Sequence, residues 1–212
     1  MVAGFIIAAL LAGGCASRRP AAAVVAKPVA APAKINLSQM FVPAGRYGRR
    51  KEFRLDASYI TIHSTSNRGA TALQHARGMA RGAFRGRSKW NRTGYLTWHF
   101  TVDNVRAIQS LPLSIQGEHA DHDGPGNTRS VAIEICEFRS RSQQEAALDR
   151  AARLTAYVMR QTGVPISRVV PHQHWPQRHF HNYQKNCPRI LLQGGRPGPK
   201  WQAFLKRVQS YL

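Results

Sequence analysis

Short runs of β-branched and aromatic residues alternate along the chain with longer amphipathic stretches. The runs YITIHST (59–65), YLTWHFTVD (95–103), RAIQSL (106–111) and SVAIEICEF (130–138) predict β-strands bounded by turn residues. The run 106–111 is expected to pair with the run 95–103 across the turn at Asp103 and Asn104. The run 130–138 is mostly apolar, which is typical of a strand covered on both faces.

Three segments have the spacing of amphipathic helices, at 70–84, 142–163 and 200–212. Ser142 and Glu145 form a capping-box pair at the start of the second segment. Because these helices interleave with the strands, the pattern predicts an α/β fold, a single domain with a central mixed β-sheet flanked by α-helices.

The amino terminus carries a short apolar run, from Phe5 to Ala12, followed by small residues and Cys15. The run is too short to span a bilayer, so residues 1–15 are predicted to be a signal peptide. The sequence LAGGC resembles a bacterial lipobox, in which the cysteine becomes lipidated, although Leu11 lies one position further from Cys15 than usual. A plain signal peptide cut nearby is the alternative. Both predict export, either to the periplasm with an outer-membrane lipid anchor or to the outside as a secreted protein.

The segment that follows is rich in alanine and proline. Residues 16–45 are predicted to be a linker, because the composition of SRRPAAAVVAKPVAAPAKI (17–35) suits a semi-extended tether and cannot build a core. Residues 46–212 are predicted to form the domain. Its strands begin near Ser58, and residues 36–57 are expected to form an arm packed against it.

The chain is strongly basic, with 31 Lys and Arg against 10 Asp and Glu, a net charge of +21. No acidic residue occurs between Asp56 and Asp103, an interval that holds Arg68, Arg77, Arg81, Arg85, Arg87, Lys89 and Arg92. Such a surface attracts polyanions, or it is simply a solvated basic face. The absence of nucleic-acid-binding signatures and the export signal disfavour a nucleic-acid partner and leave an acidic cell-wall polymer or anionic lipid.

Two residues within strands are candidates for chemistry. Glu134 lies inside an apolar strand, where a carboxylate is costly unless it is paired, bound to a cation or catalytic; the alternative is a strand-end side chain that faces solvent. His63 lies near the end of another strand, where side chains often line a site, although a core histidine is the alternative. Glu137 is expected to face the side opposite Glu134 and to be exposed.

The stretch VVPHQHWPQRHFHNYQKNCP (169–188) adds His172, at the exit of a predicted strand, and Cys187, in a polar loop. A histidine and a cysteine without a CxxC partner do not form a structural zinc motif. Two histidines and a thiolate would instead suit a catalytic zinc site, which commonly keeps three protein ligands and one open position. A disulfide between Cys136 and Cys187 is the alternative for the second cysteine.

Four blocks carry a family resemblance: ITIHSTSNRGATALQHARGMA, LTWHFTVDNVRAIQSLP, EHADHDGPGNTRSVAIEICEF, and VVPHQHW followed by KNCPRIL. Their order and content resemble the zinc-dependent N-acetylmuramoyl-L-alanine amidases of the amidase-2 type, a superfamily that includes T7 lysozyme-like enzymes and peptidoglycan recognition proteins. The resemblance covers roughly residues 58–208. It implies the fold of that superfamily and cleavage of the amide between N-acetylmuramic acid and L-alanine in peptidoglycan or muropeptides. The protein is expected to be a monomer. A non-catalytic peptidoglycan-binding module is the alternative.

The resemblance also implies roles for individual residues. It implies Zn²⁺ held by His63, His172 and Cys187, with Glu134 as the catalytic carboxylate. Lys185 matches a lysine that contacts the substrate carbonyl in some members. The same blocks place three further residues near the substrate: Trp98, His99 and His119.

The chain departs from the family pattern at two places. Trp98 stands where some members carry a tyrosine, so it cannot donate a phenolic hydrogen bond. The segment between Trp175 and Lys185 is longer than usual and adds His179 and His181, which could border the site or compete for metal. His174 stands where many relatives have aspartate and is expected to play a supporting role without binding the metal.

Overall fold

The computed structural model describes residues 32–212, so the predicted signal peptide, Cys15 and most of the predicted linker lie outside the described residues. The main sheet has six strands, named in chain order: β1 (Leu37–Gln39), β2 (Tyr59–Arg68), β3 (Phe100–Val102), β4 (Ala107–Gln109), β5 (Ser130–Glu137) and β6 (Val169–Pro171). A separate two-stranded sheet follows, formed by β7 (Leu192–Gln193) and β8 (Arg196–Pro197).

The strands of the main sheet lie in the spatial order β1-β4-β3-β5-β2-β6. Only β3 and β4 are antiparallel, since they are joined directly across the predicted turn, and the other neighbours are parallel. The Asp103 carboxylate holds this turn by accepting hydrogen bonds from the backbone N–H groups of Val105 and Arg106, at 2.7 and 2.8 Å. The mixed sheet that the pattern predicted is confirmed.

Four α-helices surround the sheet: α1 (Ala72–Ala80), α2 (Pro125–Thr128), α3 (Arg141–Thr162) and α4 (Pro199–Gln209). Four short 3₁₀ helices lie between them, at Ala33–Ile35, Ile166–Arg168, His172–His174 and Arg178–Phe180. Within residues 32–212, no helix combines the length and the apolar character that crossing a bilayer requires.

The two faces of the sheet are covered differently. On one face, Ile60 and Ile62 of β2 and Ile133 of β5 pack against α3 and α4, and they form the main hydrophobic core with Leu154 and Trp201. Because side chains alternate along a strand, the residues between them point to the other face. There α1 covers only part of the sheet, packing Ala72 and Ala76 against Ile108 and Cys136. The remainder of that face is free to form a cleft.

Two boundaries differ from the sequence-based expectation. Leu37–Gln39, inside the predicted linker 16–45, forms the edge strand β1 beside β4, and Ile35 is fully buried in the main core. The domain therefore begins before residue 46, because an apolar residue followed by a strand can pair with an open sheet edge. Helix α3 is capped by Ser140, whose side chain accepts from the Gln143 N–H, and the predicted capping residue Ser142 lies within the helix.

Candidate active site

The predicted metal ligands come together at the carboxyl ends of neighbouring parallel strands. Strand β2 lies between β5 and β6 and runs parallel to both. His63 of β2 pairs in register with Glu134 of β5. On the other side Ile62 pairs with Pro171, so His172 emerges directly beside His63, and their ring centroids are 4.5 Å apart. Parallel strands thus bring residues that are far apart in sequence to one edge, as α/β folds commonly do.

Cys187 completes the group from the following loop. Its carbonyl accepts from the backbone N–H of Gln173 at 2.9 Å, which ties the cysteine to the turn after His172. The donor atoms of His63, His172 and Cys187 all lie within 4.8 Å of one another. Cys136 and Cys187 are both free thiols, so the disulfide alternative is wrong.

The donor atoms have the chemistry that a metal ion needs. His172 Nε2 is buried and has no hydrogen-bond partner among the described residues, and His63 Nδ1 lies 3.9 Å from Cys187 Sγ. Burial lowers the pKa of His172 to about 3 and the pKa of His63 well below its ordinary value, so both rings are neutral and keep a lone pair. Burial raises the pKa of the Cys187 thiol, and a bound cation is the natural means of stabilising its thiolate.

Two of the candidate ligands, Cys187 and His63, are held from behind. The backbone N–H of Ser64 donates to Cys187 Sγ at 3.5 Å. His63 Nε2 lies 3.1 Å from His119 Nδ1, with the rings nearly perpendicular. The Asn127 side-chain oxygen accepts from the backbone N–H groups of His119 and Ala120, at 2.8 and 2.7 Å. Such outer contacts fix the orientation of ligand rings.

Glu134 is the carboxylate nearest to this group. Its Oε1 lies 3.8 Å from His63 Nδ1, and its Oε2 is buried with no partner in the described part of the chain. Burial, and to a smaller extent the Glu137 carboxylate, raise the pKa of Glu134 to about 8, although the Lys185 ammonium opposes the rise. A carboxyl group in this position can exchange a proton near neutral pH.

A cleft of about 520 Å³ opens over Glu134. It brings together Trp98, His119, Glu134 and Lys185 with residues of two flanking loops, Arg85, Arg87, Phe180 and Tyr183. Trp98 contributes the apolar floor of the cleft, since its indole N–H is already donated to Thr101 Oγ1 at 2.7 Å. The cleft therefore combines an apolar floor with a few polar groups at one end, as enzyme sites commonly do.

Comparisons with known proteins agree with this geometry. The family described as N-acetylmuramoyl-L-alanine amidase matches residues 53–190. The chain belongs to this amidase family. It is 32% identical to the amidase CwlH of Bacillus subtilis (strain 168) over 180 residues, covering 83% of this chain and 62% of CwlH. It is 35% identical to the amidase XlyA of the same organism over 161 residues, covering 74% of this chain and 48% of XlyA. The chain thus spans about half to three-fifths of the length of these relatives.

Solved structures of the family share the fold. The catalytic domain of XlyA superposes with a TM-score of 0.65 at 33% identity, over 82% of this chain and 99% of that domain. PlyL superposes with a TM-score of 0.62 at 26% identity, over 84% of this chain and 98% of PlyL. The part of XlyA that this chain resembles in structure is the domain called catalytic.

His99 differs from the contact that the amidase resemblance implied. It is fully buried, and its Nδ1 accepts from the Ala132 N–H at 3.0 Å, while Nε2 lies 2.9 Å from the Ile115 carbonyl oxygen. Both nitrogens are occupied by backbone groups. His99 therefore supports the floor of the cleft from behind instead of reaching a substrate.

Three further histidines, His174 and the two in the lengthened loop, lie outside the candidate ligand group. His174 packs edge-on against Trp175, with ring centroids 4.6 Å apart. His179 stacks on Trp90 and contacts Asp123, and His181 occupies the turn of the loop with a φ of 54°. Within residues 32–212, the only such group of histidine, cysteine or acidic side chains is His63, His172 and Cys187.

The expectation of an exposed Glu137 is wrong. The side chain is 2% exposed and forms a two-pronged ion pair with Arg189, at 2.9 Å to Nε and a still closer contact to Nη2. It also accepts from the Ser66 N–H at 3.2 Å. Strand alternation cannot show that Arg189, 52 residues downstream, covers this side chain.

Sequence reasoning missed several residues of the candidate site. Glu118 is buried, accepts from the Asn127 amide at 2.7 Å, and has its pKa raised to about 7 by burial. It belongs to the hydrogen-bond network that holds His119. The sequence signal that could have identified Glu118 is its position directly before that histidine. Arg85 and Arg87 stood out only as part of a basic run, because spacing alone does not show which arginines face a cleft.

Proposed function

We propose that this chain is a zinc-dependent peptidoglycan hydrolase that cleaves the amide bond between N-acetylmuramic acid and the L-alanine of the stem peptide. The observation that carries the proposal is the meeting of the donor atoms of His63, His172 and Cys187 within 4.8 Å, directly beside the partly buried carboxylate of Glu134. Membership of the amidase family and the likeness to the catalytic domain of XlyA support it. Retention of the complete ligand group disfavours the non-catalytic binding module.

The donor set suits zinc. Two imidazole nitrogens and one thiolate are typical zinc ligands, and three protein ligands leave a fourth position open, as catalytic zinc sites require. When bound, zinc would acidify a water molecule and polarise the carbonyl oxygen of the substrate. The unpartnered His172 Nε2 and the partly buried Cys187 thiol are the features of this chain that such an ion would satisfy.

Glu134 is proposed to move the proton. Its unpartnered Oε2 would accept a proton from the attacking water and deliver it to the nitrogen of the departing L-alanine. One group can do both because burial raises its pKa to about 8, within reach of neutral pH. Trp98 lacks a hydroxyl and cannot share this task, so Glu134 carries the whole transfer.

Lys185 is proposed to stabilise the negative charge on the carbonyl oxygen. It lines the cleft, and its ammonium lowers the pKa values of His63, His172 and Glu134, which supports a position close to all three. A fixed cation at this place interacts more strongly with the tetrahedral state than with the neutral amide. Trp98 would shape the apolar floor that receives the substrate.

The proposal predicts which products form and when. Incubation of purified peptidoglycan with the zinc-loaded protein should release stem peptides that begin with L-alanine, detected by mass spectrometry. A chelator should stop the release, and added Zn²⁺ should restore it, because the ligand group supplies no reactive water by itself. Release of sugars without peptides, or no release with zinc present, would contradict the proposal.

We also propose that the protein is exported and anchored to the outer membrane through a lipid on Cys15, and that it acts as a monomer. The apolar run before LAGGC supports the first proposal, and a site built from one chain supports the second. A plain signal peptide with secretion remains the alternative to the lipid anchor.

Replacement Cys15→Ser should abolish incorporation of radiolabelled palmitate and shift the protein from the membrane fraction to the soluble fraction, because serine offers no thiol for lipid attachment. The matched control is Ser17→Ala, which alters a neighbouring hydroxyl and should keep both properties. Equal labelling of the Cys15→Ser protein and the wild type would end the lipoprotein proposal.

A further inference from the structure

Two loops of different chemistry form the outer part of the cleft. One loop presents Arg85 and Arg87, which we call the basic wall. The other presents Phe180 and Tyr183, which we call the aromatic wall. Glu134 and Lys185 line the same cleft, so a substrate held for cleavage reaches both walls.

The basic wall is held in place without being neutralised. Arg85 Nη1 donates to the Tyr95 hydroxyl at 2.9 Å, and its guanidinium lies 4.9 Å from the centroid of the same ring. The loop is closed by the Gly86 N–H, which donates to the Gly94 carbonyl at 2.9 Å. Among residues 32–212, no carboxylate forms an ion pair with Arg85 or Arg87, and both side chains are exposed. Their charges are therefore available to an anionic group of a ligand.

The aromatic wall is built on a closed loop. The Gln177 N–H donates to the Tyr183 carbonyl at 2.9 Å, and the buried Gln177 side chain donates to the Ala120 carbonyl at 2.9 Å. This base holds two large rings toward solvent, with Phe180 46% and Tyr183 59% exposed. Exposed aromatic rings grouped in a cleft indicate a binding surface.

A direct contact between the loops fixes the distance between the walls. The rings of Trp90 and His179 stack at a centroid distance of 4.1 Å and an interplanar angle of 8°. His179 Nε2 also contacts Asp123 Oδ1 at 3.0 Å. His179 of the lengthened loop thus links the two walls. This contact is one structural role of the additional length.

We infer that the peptide stem of the substrate lies along the basic wall and its glycan along the aromatic wall. The inference rests on the proposed amidase function. A peptide stem ends in a carboxylate, which two unpaired guanidinium groups can bind. A hexosamine ring is uncharged when its lactyl group is amide-linked, and its C–H faces can stack on aromatic rings. Each half of the substrate therefore matches one wall and not the other.

Binding to the zinc-loaded, full-length Glu134→Gln protein tests the inference without hydrolysis. Isothermal titration calorimetry would compare three ligands: an N-acetylmuramoyl stem peptide, the same molecule with its terminal carboxylate amidated, and the same peptide on a tetrasaccharide. The added change Arg85→Ala/Arg87→Ala should raise Kd about tenfold for the two carboxylate ligands and leave the amidated ligand nearly unchanged. The added change Phe180→Ala/Tyr183→Ala should remove the extra affinity of the tetrasaccharide and keep the preference for the carboxylate.

Matched controls separate local from general effects. Arg139→Ala/Arg141→Ala removes the same charge from exposed positions that do not line the cleft, and Phe41→Ala removes an exposed ring elsewhere. Both should leave all three affinities unchanged. The inference is overturned if the arginine variant removes the extra affinity of the tetrasaccharide and the aromatic variant removes the preference for the carboxylate. It is also overturned if each double variant weakens the binding of all three ligands equally, or if neither variant changes any Kd. Failure of the Glu134→Gln protein to bind any of the three ligands would overturn it as well. If the variants bind the three ligands as predicted but the wild-type protein does not hydrolyse the substrate, only the proposed function is contradicted.

Discussion

Glu134→Gln is expected to lower kcat for release of L-alanine stem peptides by about a thousandfold while the protein still binds one zinc ion. Glutamine has nearly the same shape and can occupy the same place on β5. Its amide cannot accept the proton of water, so the proton has no route to the departing amine. Steady-state hydrolysis of a defined muropeptide measures the rate, and elemental analysis of the dialysed protein measures the zinc.

The matched control is Glu145→Gln, which neutralises an exposed carboxylate on α3 that pairs with Arg207 at 3.2 Å. This variant should keep full activity. Retention of more than about a tenth of wild-type kcat by the Glu134→Gln protein would show that another group transfers the proton, and the proposed mechanism would be wrong.

Cys187→Ala should lower the affinity for zinc by more than about a hundredfold and abolish hydrolysis. Even the partners behind metal ligands contribute about 10- to 100-fold to affinity, so loss of a direct thiolate ligand costs more. Competition against a chromophoric chelator measures the affinity. Circular dichroism checks that the domain remains folded, which is expected because Cys187 lies in a loop and is only partly buried.

The chain provides its own control for this experiment. Cys136 is the other described cysteine; it is fully buried beside α1 and belongs to a separate apolar cluster. Cys136→Ala should leave zinc affinity and hydrolysis close to wild type, although it removes a core side chain. Equal zinc affinities in the Cys187→Ala and Cys136→Ala proteins would contradict the assignment of Cys187 as a ligand.

The pairing of His63 with Glu134 shows which features of the candidate site the sequence predicts and which it does not. Each residue stands out alone as a polar side chain within an apolar strand, and interleaved helices predict parallel strands. The sequence does not contain the register, which places the two side by side in the structure. The family resemblance supplied that link, because it joins blocks that spacing alone leaves far apart.

Other details lie beyond the sequence because tertiary contacts determine them. Glu137 is buried by an ion pair with Arg189, and His99 is enclosed by backbone groups of two other segments. Local helix signals likewise favoured Ser142 as the cap, although Ser140 two residues earlier has the extended backbone that a cap requires. In each case the local pattern allowed several partners, and the packing of distant segments selected one.

Hydrolysis in ¹⁸O-labelled water tests the central claim most directly. A zinc-loaded wild-type digest of a purified muropeptide should yield a free peptide that begins with L-alanine and carries no label. The lactyl carboxylate of N-acetylmuramic acid should carry one ¹⁸O atom, because water attacks the carbonyl on that side of the bond. Label at a sugar carbon or within the peptide, or an intact muropeptide in the presence of zinc, would contradict the assignment of this chain as an N-acetylmuramoyl-L-alanine amidase.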